Sequence, residues 1–63
     1  MSKEKRDMAK QAQKHLKEAK EHSKDAEKIF RVIGDPAGEK FAGDAAKHAS
    51  DGEEHVTKKL GGD

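Results

Sequence analysis

Ile29-Phe30-Arg31-Val32-Ile33-Gly34-Asp35-Pro36-Ala37-Gly38-Glu39-Lys40 is the stretch that decides how this chain folds. Gly34 suits the left-handed position just past a helix end. Asp35 suits the cap of a following helix, and Pro36 its first turn, where a missing N–H costs nothing. Glu39 then puts a negative charge near the new N-terminus, where the helix dipole favours it. The same residues also read as strand, glycine loop and helix, the layout that cradles phosphate. That loop needs GxxxxGK followed by Ser or Thr, whereas Gly34, Gly38 and Lys40 give GxxxGxK followed by Phe41. A lone strand also has no sheet to join. The stretch is therefore a break between two helices.

Upstream of the break, Lys3 to Ile33 contains no Pro or Gly and is dominated by Lys, Glu, Ala and Gln, all strong helix formers. Met8, Ala12, His15, Ala19, His22, Ala26, Ile29 and Ile33 recur at alternating steps of four and three. That heptad-type stripe is expected to pack against an antiparallel or coiled-coil partner, with Leu16 and Phe30 widening it on one side. Downstream, Phe41, Ala45, His48, Gly52 and His55 repeat the spacing, and Ala42, Ala49, Val56 and Leu60 broaden the face. Gly38, Gly43 and Gly52 each weaken this helix by about 1 kcal/mol relative to Ala. The expected fold is all-α, an antiparallel helical hairpin in one domain. Its helices span 3–33 and 36–60, its turn is 34–35, and 61–63 form a tail.

Composition explains why a hairpin needs help. The chain has 63 residues, 43% of them charged, and no Cys. Mean hydropathy is −1.23. Of its 19 apolar residues nine are Ala. A chain this short usually relies on disulfides, metal, cofactor or oligomerisation, and disulfides are excluded. Association of two hairpins into a four-helix bundle is the expected remedy. Residues 1–33 carry ten Lys/Arg against six Asp/Glu, and residues 34–63 four against seven, so the halves attract. No run approaches the length of a membrane span and no signal peptide is visible, so the expected location is cytoplasmic. The charged, Gly-containing, aromatic-poor composition is also that of desiccation-type hydrophilic proteins, but the regular stripe favours a folded helix pair.

The four histidines are the most informative residues. At an offset of 33, Ala12/Ala45, Lys14/Lys47, His15/His48, Glu21/Glu54 and His22/His55 are identical, as if one helix were duplicated or both were written to one template. Folding at Asp35 opposes residues whose numbers sum to about 70. His22 then lies level with His48, His15 with His55, and Ile29 with Phe41. The two histidine levels are about 10.5 Å apart, too far to share one ion, but each level pairs histidines from both helices. Glu18 precedes His22, Asp44 precedes His48 and Asp51 precedes His55 by four residues, within chelating or hydrogen-bonding reach. His15, His22, His48 and His55 with Glu18, Asp44 and Asp51 thus form a candidate ligand set for Zn, Ni, Cu, Co or Fe. The ferritin-like di-iron pattern is absent, because no Glu lies three before any His.

The same four histidines, each with Ala or Gly three before it, are candidate ligands for a noncovalent haem. Few Leu, Ile or Phe are available to bury a macrocycle. Alternatively the histidines fill space in a structural or interaction bundle. Ala12, Ala19 and Ala26 at every seventh position resemble the close-packed antiparallel coiled coils called Alacoils. Buried neutral His at such a seam would make the bundle sensitive to acid. Catalysis is not expected, since a two-helix chain has no room for a substrate pocket. Helix 1 carries Lys3, Lys10, Lys14, Lys17, Lys20, Lys24 and Lys28, a candidate phosphate track for RNA or DNA, although interleaved acids make nucleic acid the lesser reading. Length and layout resemble the Rop family of small plasmid-copy-control RNA-binding proteins, dimers of helical hairpins. The resemblance is architectural and implies a homodimer.

Overall fold

Two helices and one tight turn make up the computed structural model, which describes residues 2–62. Helix α1 spans Lys3–Ile33 and helix α2 spans Pro36–Gly62. Ser2 caps α1, its hydroxyl accepting from the Lys5 backbone N–H at 3.3 Å. At the other end Gly34 adopts φ 76° and donates to the Arg31 carbonyl at 3.2 Å, while the Asp35 N–H reaches the Phe30 carbonyl at 2.9 Å. These bonds satisfy carbonyls that the ending helix leaves free. Asp35 then caps α2, its Oδ1 accepting from the Gly38 N–H at 3.1 Å. Each residue of the Gly-Asp-Pro break takes the role its chemistry suits.

Helix α2 runs two residues past the expected end at Leu60. Gly61 and Gly62 are helical, and Asp63, the last residue of the expected tail, lies outside the described residues. Arg6 contributes there, because its Nη1 donates to the Leu60 carbonyl at 2.9 Å. A guanidinium near a helix C-terminus satisfies a free carbonyl and opposes the dipole. Near the turn, the Arg31 Nε bonds Glu39 at 3.2 Å and its Nη2 lies 3.9 Å from Glu27.

The seam between the helices is narrow and small. On α1 the half-buried residues include Ala9, Gln13, Leu16, Lys20, Ser23, Glu27 and Phe30; on α2 Ala42, Ala46 and Ala49 are buried, with Glu53, Val56 and Leu60 half-buried. Gln13 Nε2 donates to Thr57 Oγ1 at 2.6 Å across it. The glycines of α2 are the seats for α1. A methyl at Gly38 would collide with the Phe30 ring, one at Gly43 would meet the Glu27 carboxylate, and one at Gly52 would come within 3.3 Å of the Leu16 methyls. Glycines expected only to weaken α2 therefore let the two largest seam side chains approach its backbone. Opposed residues have numbers summing to 68 or 70, which is the register expected from a fold at Asp35.

The rotation about each helix axis differs from expectation. Of the stripe Met8, Ala12, His15, Ala19, His22, Ala26, Ile29 and Ile33 only Ala26 is half-buried and the rest are exposed; the seam is centred one residue later along the chain. The residues expected to widen the stripe, Leu16 and Phe30 with Ala42, Ala49, Val56 and Leu60, are the seam itself. The reason is steric. Leu16 and Phe30 fit onto glycines two heptads apart, whereas an imidazole row facing another would hold the backbones apart. Lys20, Gln13 and Glu27 tolerate the seam because their aliphatic stems cover it while their polar ends reach its edge.

Candidate functional site: an uncharged face carrying all four histidines

The displaced stripe forms a second surface. Met8, Ala12, His15, Ala19, His22, Ala26 and Ile29 each precede a seam residue of α1 by one position. Phe41, Ala45, His48 and His55 stand in the same relation to the seam of α2, and Gly52, at the corresponding position, is half-buried where it seats Leu16. One position is a rotation of about 100° in the same sense on both helices. Two antiparallel helices are related by a dyad normal to the plane that contains them. Equal rotations therefore bring both strips to the same broad side of the hairpin. That side carries all four histidines and no Lys, Arg, Asp or Glu from Met8 to Ile33 or from Phe41 to His55, in a chain that is 43% charged.

The face is open. His15, His22, His48 and His55 are exposed, so none fills the interior of the single hairpin, and the expectation of buried seam histidines does not hold within one chain. Met8, Ile29, Ile33 and Phe41 are exposed as well, Phe41 by 73%. Ile29, Val32, Ile33 and the Lys28 stem line a shallow depression close to the turn. Number sums of 68 to 70 along the seam put His22 within about two residues, roughly 3 Å, of the height of His48, and His15 likewise of His55. Glu18, Asp44 and Asp51 are exposed too. Each lies one turn before its histidine, rotated about 40° further outward, so they border the face. Among the described residues, no three His, Asp or Glu side chains of one chain form a group that could hold a metal ion.

The opposite broad side has the contrary character. The residues that follow the α1 seam by one position are Lys10, Lys14, Lys17, Glu21, Lys24, Lys28 and Arg31. Six basic residues and one acid lie in a row along α1, a segregation that the interleaving of charges along the sequence conceals. Among the described residues no helix is long and apolar enough to cross a membrane. Comparison with protein-family models, curated proteins and solved structures returns no match.

The glycine seats and the basic row both have a sequence signal. Leu16 and Phe30 are two heptads apart, as are Gly38 and Gly52, and each Phe or Leu opposes a Gly at a number sum of 68. The basic row appears once positions are counted from the seam rather than along the chain.

Proposed function

We propose that the chain is a noncatalytic association module in which two copies bury their uncharged faces against each other to form a four-helix bundle. The observation that carries this reading is surface. A compact 6.9 kDa monomer exposes about 4,000 Å² by the usual mass scaling, whereas this hairpin exposes 4862 Å². The excess, about 850 Å² per chain, matches the roughly 800 Å² each partner buries in a stable interface. The hairpin is one helix thick, 47 × 15 × 11 Å in extent, and stacking a second layer would give the bundle the interior it lacks. Its own core is three alanines.

The ends of the face select the orientation. Ile29, Ile33 and Phe41 lie toward the turn, and Lys5 and Lys59 stand on the same strips at the other end. Stacking with both turns at one end sets apolar against apolar. The reversed stacking would bury Ile29 and Phe41 against lysines. Sedimentation equilibrium of the tag-free protein tests the reading. A dimer is expected, and Phe41→Asp is expected to weaken it at least tenfold while the helical circular dichroism of the monomer persists. A wild-type chain that sediments as a monomer at hundreds of micromolar would refute it.

The basic row favours a second reading, binding of a nucleic-acid backbone by the side that a dimer leaves exposed. It calls for a mobility shift that weakens steeply with salt and that Lys17→Gln/Lys24→Gln reduces without changing the oligomeric state.

A further inference from the structure

We infer that the dimer holds a transition-metal ion of the Zn²⁺ class between copies, ligated by His22 of one chain and His48 of the other. The inference rests on the face-to-face dimer proposed above. With both turns at one end, the twofold axis runs parallel to the helices and preserves height along them. Each α1 then stacks on α2 of the second copy. Because the register brings His22 to within about two residues of the height of His48 within a chain, the same holds between chains, and here they face each other across the new seam rather than standing side by side. The twofold makes the pair reciprocal, so a dimer has two such sites.

The donor set around this level suits an ion. Glu18, one turn before His22, and Asp44, one turn before His48, border the seam from either chain. Two imidazoles and two carboxylates make a four-donor group of the kind that borderline divalent ions accept. The same carboxylates repel one another when the copies approach, and a cation between them relieves that repulsion. One chain supplies half of each site, His22 with Glu18 to one and His48 with Asp44 to the other. The other level is poorer. His55 has Asp51 one turn earlier, but His15 has Gln11 in that place. With each site divided between two chains, metal and association should depend on each other.

Complementation between two inactive variants tests the assignment. The tag-free protein is titrated with Co²⁺, whose visible absorption reports imidazole and carboxylate ligation, and sedimentation is followed with and without EDTA. Wild type is expected to bind Co²⁺ and Zn²⁺ tighter than about 100 μM, with a tighter dimer in their presence. His22→Gln and His48→Gln are each expected to remain dimeric and to lose this binding, whereas His15→Gln retains it. Mixing His22→Gln with His48→Gln restores one intact site in each mixed dimer, about a quarter of the wild-type capacity in a statistical mixture. A pair formed within one chain would not be restored by mixing. Binding by the monomeric Phe41→Asp variant, absent restoration on mixing, or a metal-free dimer that binds neither ion overturns the inference and leaves the association reading standing. A wild-type chain that stays monomeric with and without metal removes both.

Discussion

The two strips of α1 that could meet a partner have opposite characters. The strip against α2 contains Gln13, Lys20, Ser23 and Glu27 beside Ala9, Leu16 and Phe30, and it is half-buried. The strip one residue earlier contains Met8, Ile29, Ile33, three alanines and two histidines, with no charge, and all of it but the half-buried Ala26 is exposed. The chain half-buries its more polar strip and leaves most of the less polar one to solvent. The difference also separates two jobs. The glycine-seated seam defines the hairpin's register by close approach, and the uncharged face would supply the area for the association proposed above.

The contrast can be broken most severely on the open face. Ile29→Lys with Ile33→Lys should abolish association, so that the thermal midpoint no longer rises with protein concentration. Gln13→Ala with Lys20→Ala, on the half-buried strip, should leave that concentration dependence in place. If both pairs behave alike, the two strips are not distinct in function.

Smaller effects sharpen the account of the seam. Leu16→Ala should cost about 2 kcal/mol in denaturant unfolding, the low end for such truncations because Leu16 is only half-buried. Gly38→Ala should cost about 1 kcal/mol net, since displacing the Phe30 ring outweighs the gain of about 1 kcal/mol in helix propensity. Gly52→Ala, where Leu16 needs to shift only slightly, should by contrast be neutral or stabilising. Glu39→Gln should change the unfolding midpoint least, by under about 0.5 kcal/mol, because its partner Arg31 is 63% exposed.

The helix break, the bounds of α1 and the register were legible in the sequence because they depend on local chemistry. Gly34, Asp35 and Pro36 each have one comfortable backbone role, and the register follows from where they stand. The rotation of the helices was not legible. Two adjacent strips of α1 both carry heptad spacing, and hydropathy favours the wrong one, since Lys20 and Glu27 read as solvent residues while their stems cover the seam. What decides between the strips is volume on α2, where Gly38 and Gly52 accept Phe30 and Leu16. Counting the glycines as helix weakeners hid that role. For the histidines, the height along the hairpin follows from sequence numbers, but the direction they face follows from the rotation. The same four residues therefore move from between the helices to one open side.

The two-residue connection through Gly34 and Asp35 has a kinetic consequence. It keeps every contact between the helices at the end of a progressively longer loop, shortest at Phe30 on Gly38 and longest at Arg6 on the Leu60 carbonyl. Closing short loops first sacrifices less chain entropy, so the hairpin zips from the turn outward and opens from the termini inward. Amide protons near Ile29 and Phe41 should then exchange with solvent more slowly than those near Met8 and Val56, a gradient running the length of the rod.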